Sequence, residues 1–447
     1  MNGQRRTLLG LALLGAVDPL FAAAPVNGAR RPFAALEREL AAIATDPACE
    51  LASLSVLAIR AGKVVYEGQF GRRRIVGAGG NGLALDLPAN RDTLYRIASI
   101  SKMMTTLGLM RLVEEKNIDL DADVSPCLGF SLRNPHFAER PITLRHLLTH
   151  TSSLRDEAGY SFPAGTALKE FVTLGARLHG DGRMWAQNAG PGDYFTYCNL
   201  GWGLTGTLME RVTGERFDLL MQRLLLQPLG LTAGYNPSTL PPQALANLAT
   251  LYRKRTTDTE VWDANGPWIA QADDYSARPP APPPGIENYV IGDNATPFSP
   301  TGGLRISARD MGTVMRMLMN GGVHGGRRIL RPDTLARMFA RQWTADGKGG
   351  NGDTLHGFFN CWGLGNAQFP DQPGRRLVEG GFDALGHLGD AYGLRSVFAA
   401  DLKRRNGMIV LVGGTSSDPG LQTGTYSALA RFEERVLTSL FQHAIAV

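Results

Sequence analysis

Serine, lysine and tyrosine do chemistry only where spacing brings a proton acceptor to a hydroxyl. Three short patterns in this 447-residue chain meet that test. The first is Ser99-Ile100-Ser101-Lys102; of the seven lysines, only Lys102 has a serine three places before it. On a helix that starts at Ser99, the lysine lies one turn on, on the same face, within reach of the hydroxyl. A serine hydroxyl is a weak nucleophile until a neighbour takes its proton, and a lysine deprived of water can do so. The start of a helix also directs unbonded N–H groups towards developing negative charge. Met103, Met104, Leu107, Leu109 and Met110 follow, apolar enough to bury the helix and strip water from the lysine. Taken alone, the pattern equally describes a helix-capping serine beside a solvated lysine.

The second pattern is Tyr197-Cys198-Asn199; none of the other ten tyrosines begins Y-x-N. A phenol beside an ammonium group can lose its proton well below its free pKa near 10, so Tyr197 is a candidate general base. Asn199 could bond both Lys102 and a substrate amide. The competing reading is a packed aromatic, with Phe195 and Trp202 close by. The third pattern is H-x-G, found at His324-Gly325-Gly326 and His387-Leu388-Gly389. His324 sits in a glycine-rich link, whereas His387 precedes a strand-like run whose backbone edge can supply an oxyanion donor.

The elements that must position these groups are legible from periodicity. Residues 32–45 read as an amphipathic helix through Phe33, Leu36, Leu40 and Ile43. Leu54–Arg60 and Lys63–Phe70 read as strands of a hairpin turning at Ala61-Gly62. Ser307 with Asp310 opens a helix over Met311–Met319. Residues 278–284 (RPPAPPP) form an extended surface segment. Arg395–Ala400 and Met408–Val412 are strands around a turn containing Asn406-Gly407, and a helix runs from Tyr426 to about Gln442. Strands at both ends with helices between them predict an α+β chain: one antiparallel sheet built from residues 30–98 and 345–447, with 99–344 a mostly helical insertion. The active site is expected where the two meet.

Residues 1–24 have the form of an export signal: Arg5-Arg6, an apolar run from Leu8 to Val17, and Ala22-Ala23-Ala24. The run is too short for a bilayer, which takes about 20 residues. A periplasmic or secreted protein with no membrane span after signal removal is the expectation. Net charge is +5, but no block of like charges appears, which gives nucleic-acid binding no support. Cys49, Cys127, Cys198 and Cys361 form no C-x-x-C. His146 and His150 are spaced i, i+4 without the glutamate of H-E-x-x-H, so no metal is assigned.

The order S-x-x-K, Y-x-N, H-x-G on a chain that begins and ends with sheet resembles the serine β-lactamase and penicillin-recognising enzymes. The likeness is greatest to the class C-like branch of D,D-peptidases, D-aminopeptidases and family VIII esterases. TLYRIASISKMMT, ITLRHLLTHTSSL, PGDYFTYCNLGWGLTG and SPTGGLRISARDM carry it further. The resemblance implies a β-lactamase/transpeptidase-like fold, Ser99 as acylated nucleophile, Lys102 as its proton acceptor and Tyr197 as general base. It further implies Asn199 as the polar group beside them and His387-Leu388-Gly389 in place of K-T-G. The oxyanion would then lie between the N–H groups of Ser99 and Asp390. No cofactor is implied, and the partner is a small-molecule or peptide substrate.

Two departures bear on substrate choice. His387 and Leu388 replace the lysine and threonine that meet a substrate carboxylate in lactam-binding relatives, and leucine offers no hydrogen bond. The expectation is therefore an exported hydrolase that cleaves an amide or ester through a Ser99 acyl-enzyme, without efficient lactam turnover. A carboxylesterase rather than a peptidase, or a penicillin-binding-like module with little turnover, are the alternatives. Arg395, eight residues past His387, reads as a surface strand residue rather than a replacement charge.

Overall fold

A computed structural model of the chain describes residues 33–76, 86–256, 259 and 261–447. The expected export segment lies outside them. Helix α1 (Ala34–Ala44) buries Leu36, Leu40 and Ile43. Strands β1 (Ser53–Arg60) and β2 (Lys63–Arg74) follow as an antiparallel hairpin. Its two turn residues, Ala61 and Gly62, both have positive φ (49° and 80°), which matches the right-handed strand twist.

Helix α2 (Ile100–Lys116), helix α3 (Leu200–Thr213) and helix α4 (Ala308–Met319) are the long helices of the middle region. The Ser307 hydroxyl accepts the Asp310 N–H at the start of α4, the cap read from sequence. Strands β3 (Ala384–Ala391), β4 (Leu394–Asp401) and β5 (Asn406–Val412) then return to the sheet, and helix α5 (Arg431–Leu440) closes the fold.

Among the described residues the main sheet has nine antiparallel strands. Strand β1, from one end of the chain, lies between β5, from the other, and β2; Leu57 opposes Ile409 on one side and Glu67 on the other. The two-residue side-chain period sorts the sheet into two cores. Leu54, Val56, Val410 and Val412 pack with Leu36, Leu40, Val436 and Leu440 of α1 and α5. Leu57, Ile59, Ile409 and Leu411 face Met103, Leu107, Met311 and Met315 of α2 and α4. Both faces are covered, which is why β1 is buried almost throughout.

Three sequence expectations shift. The β4–β5 turn is Leu402–Arg405, with Arg405 at φ 57°, and Asn406-Gly407 open β5 instead. A Cβ on Gly407 would stand 2.1 Å from the Met315 sulfur, so this glycine lets α4 ride close on the sheet. Helix α5 begins at Arg431 rather than Tyr426, because the Glu434 carboxylate accepts the N–H groups of Thr425, Tyr426 and Ser427 and holds them as a loop. The middle region is helical with long loops, but it also holds strands. Leu94–Arg96 pairs with Arg305–Ser307, and Leu251–Lys254 joins Trp268–Ala272 and Gly414–Thr415.

Candidate active site

Short strand Leu94–Arg96 leads into α2 through Ala98, which takes φ 44°. That left-handed residue turns the chain sharply and leaves Ser99 at the mouth of the helix, lining a cleft of about 1030 Å³. One turn on, Lys102 is fully buried, and its Nζ donates to Ser99 Oγ (3.0 Å), Asn199 Oδ1 (2.7 Å) and the Thr301 carbonyl (3.1 Å). Trp202 and Thr106 both donate to the Lys102 carbonyl, fixing the first turn against α3. Burial pushes the Lys102 ammonium down to about 7, with Asp156 and Cys198 pulling weakly the other way. Relative to water this is a loss on the order of 5 kcal/mol for the charged form. A neutral amine still satisfies the same three neighbours: two N–H groups serve Asn199 and Thr301, and the lone pair faces the Ser99 hydroxyl.

Asn199 stands at the start of α3, and its orientation is set by charge. Its Nδ2 donates to Asp156 Oδ2 (2.8 Å), so its Oδ1 must face Lys102, where it also accepts from Thr301 Oγ1 (2.6 Å). Asp156 further accepts the N–H groups of Asn199 and Leu200 and the Cys198 thiol. It acts as the cap of α3 from a distant loop. Asn199 lines the cleft with one amide hydrogen left for a ligand.

Tyr197 carries its ring under Lys102 Nζ, 4.8 Å from the centroid, and stacks on Phe359 at 5.1 Å. The sequence reading expects a lowered phenol pKa. Burial raises it well above its ordinary value instead, and a hydrogen-bonding contact with Ser99 opposes that only in part. Desolvation of a phenolate outweighs attraction to a lysine that is itself half-neutral at pH 7. Behind Tyr197, His150 accepts the Cys198 N–H on Nδ1 (2.9 Å) and lies against the rings of Tyr197, Trp202 and Trp362. His146 instead caps its own short helix with Thr143, so the i, i+4 histidines face separate tasks.

On the opposite wall, β3 departs from expectation. His387 is fully buried and packs against Trp362, Phe359 and Tyr197 rather than lining the cleft. Strand alternation turns it inward and leaves Leu388 half-buried on the other face. Its Nδ1–H donates to the Leu388 carbonyl (2.6 Å), and burial with the Lys102 charge nearby pushes it down to about 3. His387 is thus a neutral wall behind Tyr197, not a substrate contact.

Gly389 is where β3 meets the corner that carries Ser99: a Cβ there would lie 2.5 Å from the Ile97 carbonyl and 3.4 Å from Ala98 Cβ. The next residue, Asp390, lines the cleft and pairs with Arg395 at 3.2 Å. Arg395 is mostly buried rather than the surface residue expected. Ser101, the neighbouring hydroxyl, is fully buried and accepts the Leu304 N–H.

With this geometry in view, a profile of the Beta-lactamase family matches residues 33–431. The chain belongs to the Beta-lactamase family. Penicillin-binding protein 4 of Amycolatopsis lactamdurans is 29% identical over 179 residues, 38% of this chain and 44% of that protein. Esterase EstB of Burkholderia gladioli is 33% identical over 158 residues, 32% of this chain and 38% of that one. These matches span less than half the length of either relative. The D-amino acid amidase from Ochrobactrum anthropi SV3, solved with D-phenylalanine, superposes with a TM-score of 0.61 at 20% identity, covering 91% of this chain and 99% of that one.

This member of a family of hydrolases has the β-lactamase/transpeptidase-like fold. Sequence reasoning found Ser99, Lys102, Tyr197 and Asn199, which the structure brings together, and His387, which it sets behind them. It missed Asp156, Thr301 and the scaffolding use of His150. Asp156 follows the THTSSL stretch by two residues, and no local pattern marks it as the partner of an asparagine 43 residues on. No helix among the described residues is long and apolar enough to cross a membrane.

Proposed function

We propose that the protein is an exported serine hydrolase that cleaves an ester or amide through an acyl-enzyme on Ser99. The observation that carries this is Lys102: fully buried, held at about 7 and 3.0 Å from Ser99 Oγ. Near neutral pH about half of such lysines are free amines, able to take the serine proton as Oγ attacks the carbonyl. The oxyanion is met by the Ser99 N–H, at the N-cap of α2, and by the Asp390 N–H on the adjoining strand. Tyr197, a neutral phenol, gives its proton to the leaving group as it takes one from the Lys102 ammonium. When water frees the acyl group, it takes a proton from that water as it returns one to the Lys102 amine, which then reprotonates Ser99. Asn199 and Asp156 keep the lysine aimed. The buried, uncharged His387 favours ester and amide substrates over lactams that need a cation at that wall, and the likeness to Esterase EstB supports the same order.

A fluorophosphonate probe followed by peptide mass mapping tests the assignment. The adduct is expected on Ser99 and lost in Ser99→Ala; an adduct on Ser101 or Ser152 overturns it. A burst without turnover on p-nitrophenyl esters would indicate a penicillin-binding-like module instead. Export is tested by the N-terminus of protein recovered outside the cytoplasm, expected to lack residues 1–24 or nearly so.

A further inference from the structure

We infer that Arg96 is the anchor for a substrate carboxylate, on the nucleophile's wall of the cleft rather than at the H-L-G motif. The inference rests on the Ser99 reading above and adds a substrate class to it: an ester or amide that carries a free carboxylate.

Arg96 lines the same cleft as Ser99. Its Nε donates to the Gly302 carbonyl (3.0 Å), and its guanidinium plane lies on the Tyr392 ring, 4.9 Å from the centroid. The two terminal nitrogens have no hydrogen-bond partner or ion pair among the described residues. Each carboxylate that could neutralise the group is committed elsewhere. Asp273 gives both oxygens to Arg305, at 2.7 and 3.1 Å, and accepts from Tyr275 besides. Asp156 is filled by Asn199, Leu200 and Cys198. Asp390 pairs with Arg395.

Asp273 is the one carboxylate whose charge reaches Arg96, and it is shared with the like-charged Arg305 that holds both its oxygens. The partly desolvated Arg96 guanidinium is therefore under-compensated, and a bound anion would offset that cost. Its planar fork matches a carboxylate at two points. The backbone also fixes where the anion would sit relative to the chemistry. Adjacent carbonyls, Thr301 and Gly302, hold Lys102 Nζ and Arg96 Nε. The base and the cation are therefore locked to neighbouring residues of one segment. The exposed rings of Tyr160 and Tyr392 line the cleft and offer flat apolar walls for the body of the same substrate. Arg253 lines the cleft as well, its guanidinium on the Trp262 ring.

The experiment compares matched substrate pairs. On the acyl side, the mono-p-nitrophenyl ester of glutaric acid is set against p-nitrophenyl valerate. On the leaving side, an acylglycolate is set against its amide. The ratio of kcat/KM, carboxylate over neutral, is read for wild type, Arg96→Ala, Arg96→Gln and Arg96→Lys.

A fall of ten- to a hundredfold in the ratio for Ala and Gln, with partial recovery in Lys, is the expected result for a lost charge-assisted contact. The pair that responds tells whether the carboxylate belongs to the acyl or the leaving group. A ratio within about threefold of wild type in both pairs overturns the inference. Arg96→Gln keeps a donor for Gly302 and covers the case in which the alanine variant does not fold.

Calorimetric binding of the glutarate ester to Ser99→Ala, with and without Arg96→Gln, is scored independently of turnover. Loss of that binding in the double variant supports Arg96 even where no variant hydrolyses anything, which would instead sink the Ser99 reading. Unchanged binding counts against Arg96.

Discussion

Lys102 and His387 are two basic nitrogens buried around the same tyrosine, and burial acts on both in the same direction. Lys102 starts near 10.5 and is pushed to about 7; His387 starts near 6.5 and is pushed to about 3. Equal physics thus makes one a group that titrates in the working range and the other a ring that is neutral throughout it. Their hydrogen bonding differs too. Lys102 has a partner for each ammonium proton, whereas Nε2 of His387 has no partner among the described residues. A base used in every turnover must be satisfied in both protonation states, and only the lysine's surroundings allow that. A lysine at position 387 would set a second cation beside Lys102; the neutral ring leaves that lysine's field undisturbed.

Breaking the titrating side should have the largest effects. Ser99→Ala and Lys102→Met should each lower kcat/KM for a p-nitrophenyl ester by about a thousandfold, since nucleophile and base act as one unit and losses are not additive. Wild-type kcat/KM should fall on the acid side with an apparent pKa near 7, as the lysine takes up its proton. The same depressed pKa makes a stability statement. Between about pH 7 and 10.5 the unfolded chain binds the lysine proton and the folded one does not, so stability contributed by this site rises with pH. Denaturant unfolding at pH 7 and 9 should show wild type gaining on the order of 2 kcal/mol relative to Lys102→Met. No difference between the two pH values would mean Lys102 is not desolvated.

The contrast was half visible in the sequence. Ser99 and Lys102 share a helix turn, so their spacing alone carries their geometry, and the apolar residues after them announce the burial that lowers the lysine pKa. The two-residue alternation in β1 and β5 likewise separates Leu54, Val56, Val410 and Val412 from Leu57, Ile59, Ile409 and Leu411 without reference to coordinates. What stayed hidden depends on long loops. Asp156 and Thr301 reach Asn199 from 43 and 102 residues away, through segments with no periodicity. His387 misled because a motif position does not say which face of a strand its side chain takes. Helix α5 misled for a similar reason, since Glu434 draws Thr425–Ser427 into a loop that apolar spacing cannot register.

Tyr197→Phe sharpens the comparison from between the two nitrogens. The phenol's pKa is raised, so a phenolate base is not available near neutrality. A neutral hydroxyl that relays protons predicts a loss of about a hundredfold in kcat with the acid limb near 7 still in place. A phenolate base predicts that the limb itself disappears or moves. The pH profile of kcat/KM for wild type and variant on one ester decides between them, and an unchanged kcat would reduce Tyr197 to a packed aromatic.

The smallest effect belongs to His387→Leu, and its smallness is the point. The ring donates one hydrogen bond, from Nδ1 to the Leu388 carbonyl, and leaves Nε2 unpaired in an aromatic pocket of Trp362, Phe359 and Tyr197. Replacing it removes a bond worth about 1 kcal/mol and relieves an unpaired acceptor that costs about 1–3 kcal/mol, so the two changes nearly cancel. Leucine is slightly larger than the ring and branched rather than flat, so fitting it among the aromatic side chains would add a modest packing cost. Activity on neutral esters should stay within a few-fold of wild type, and the acid limb should stay near 7, because no charge is removed at any working pH. His387→Lys makes the opposite change, setting an ammonium beside Lys102, and should drive that limb towards lower pH as like charges disfavour each other. If leucine moved the limb as far as lysine does, His387 would carry charge in the folded protein, and the division between a working base and a neutral wall would fail.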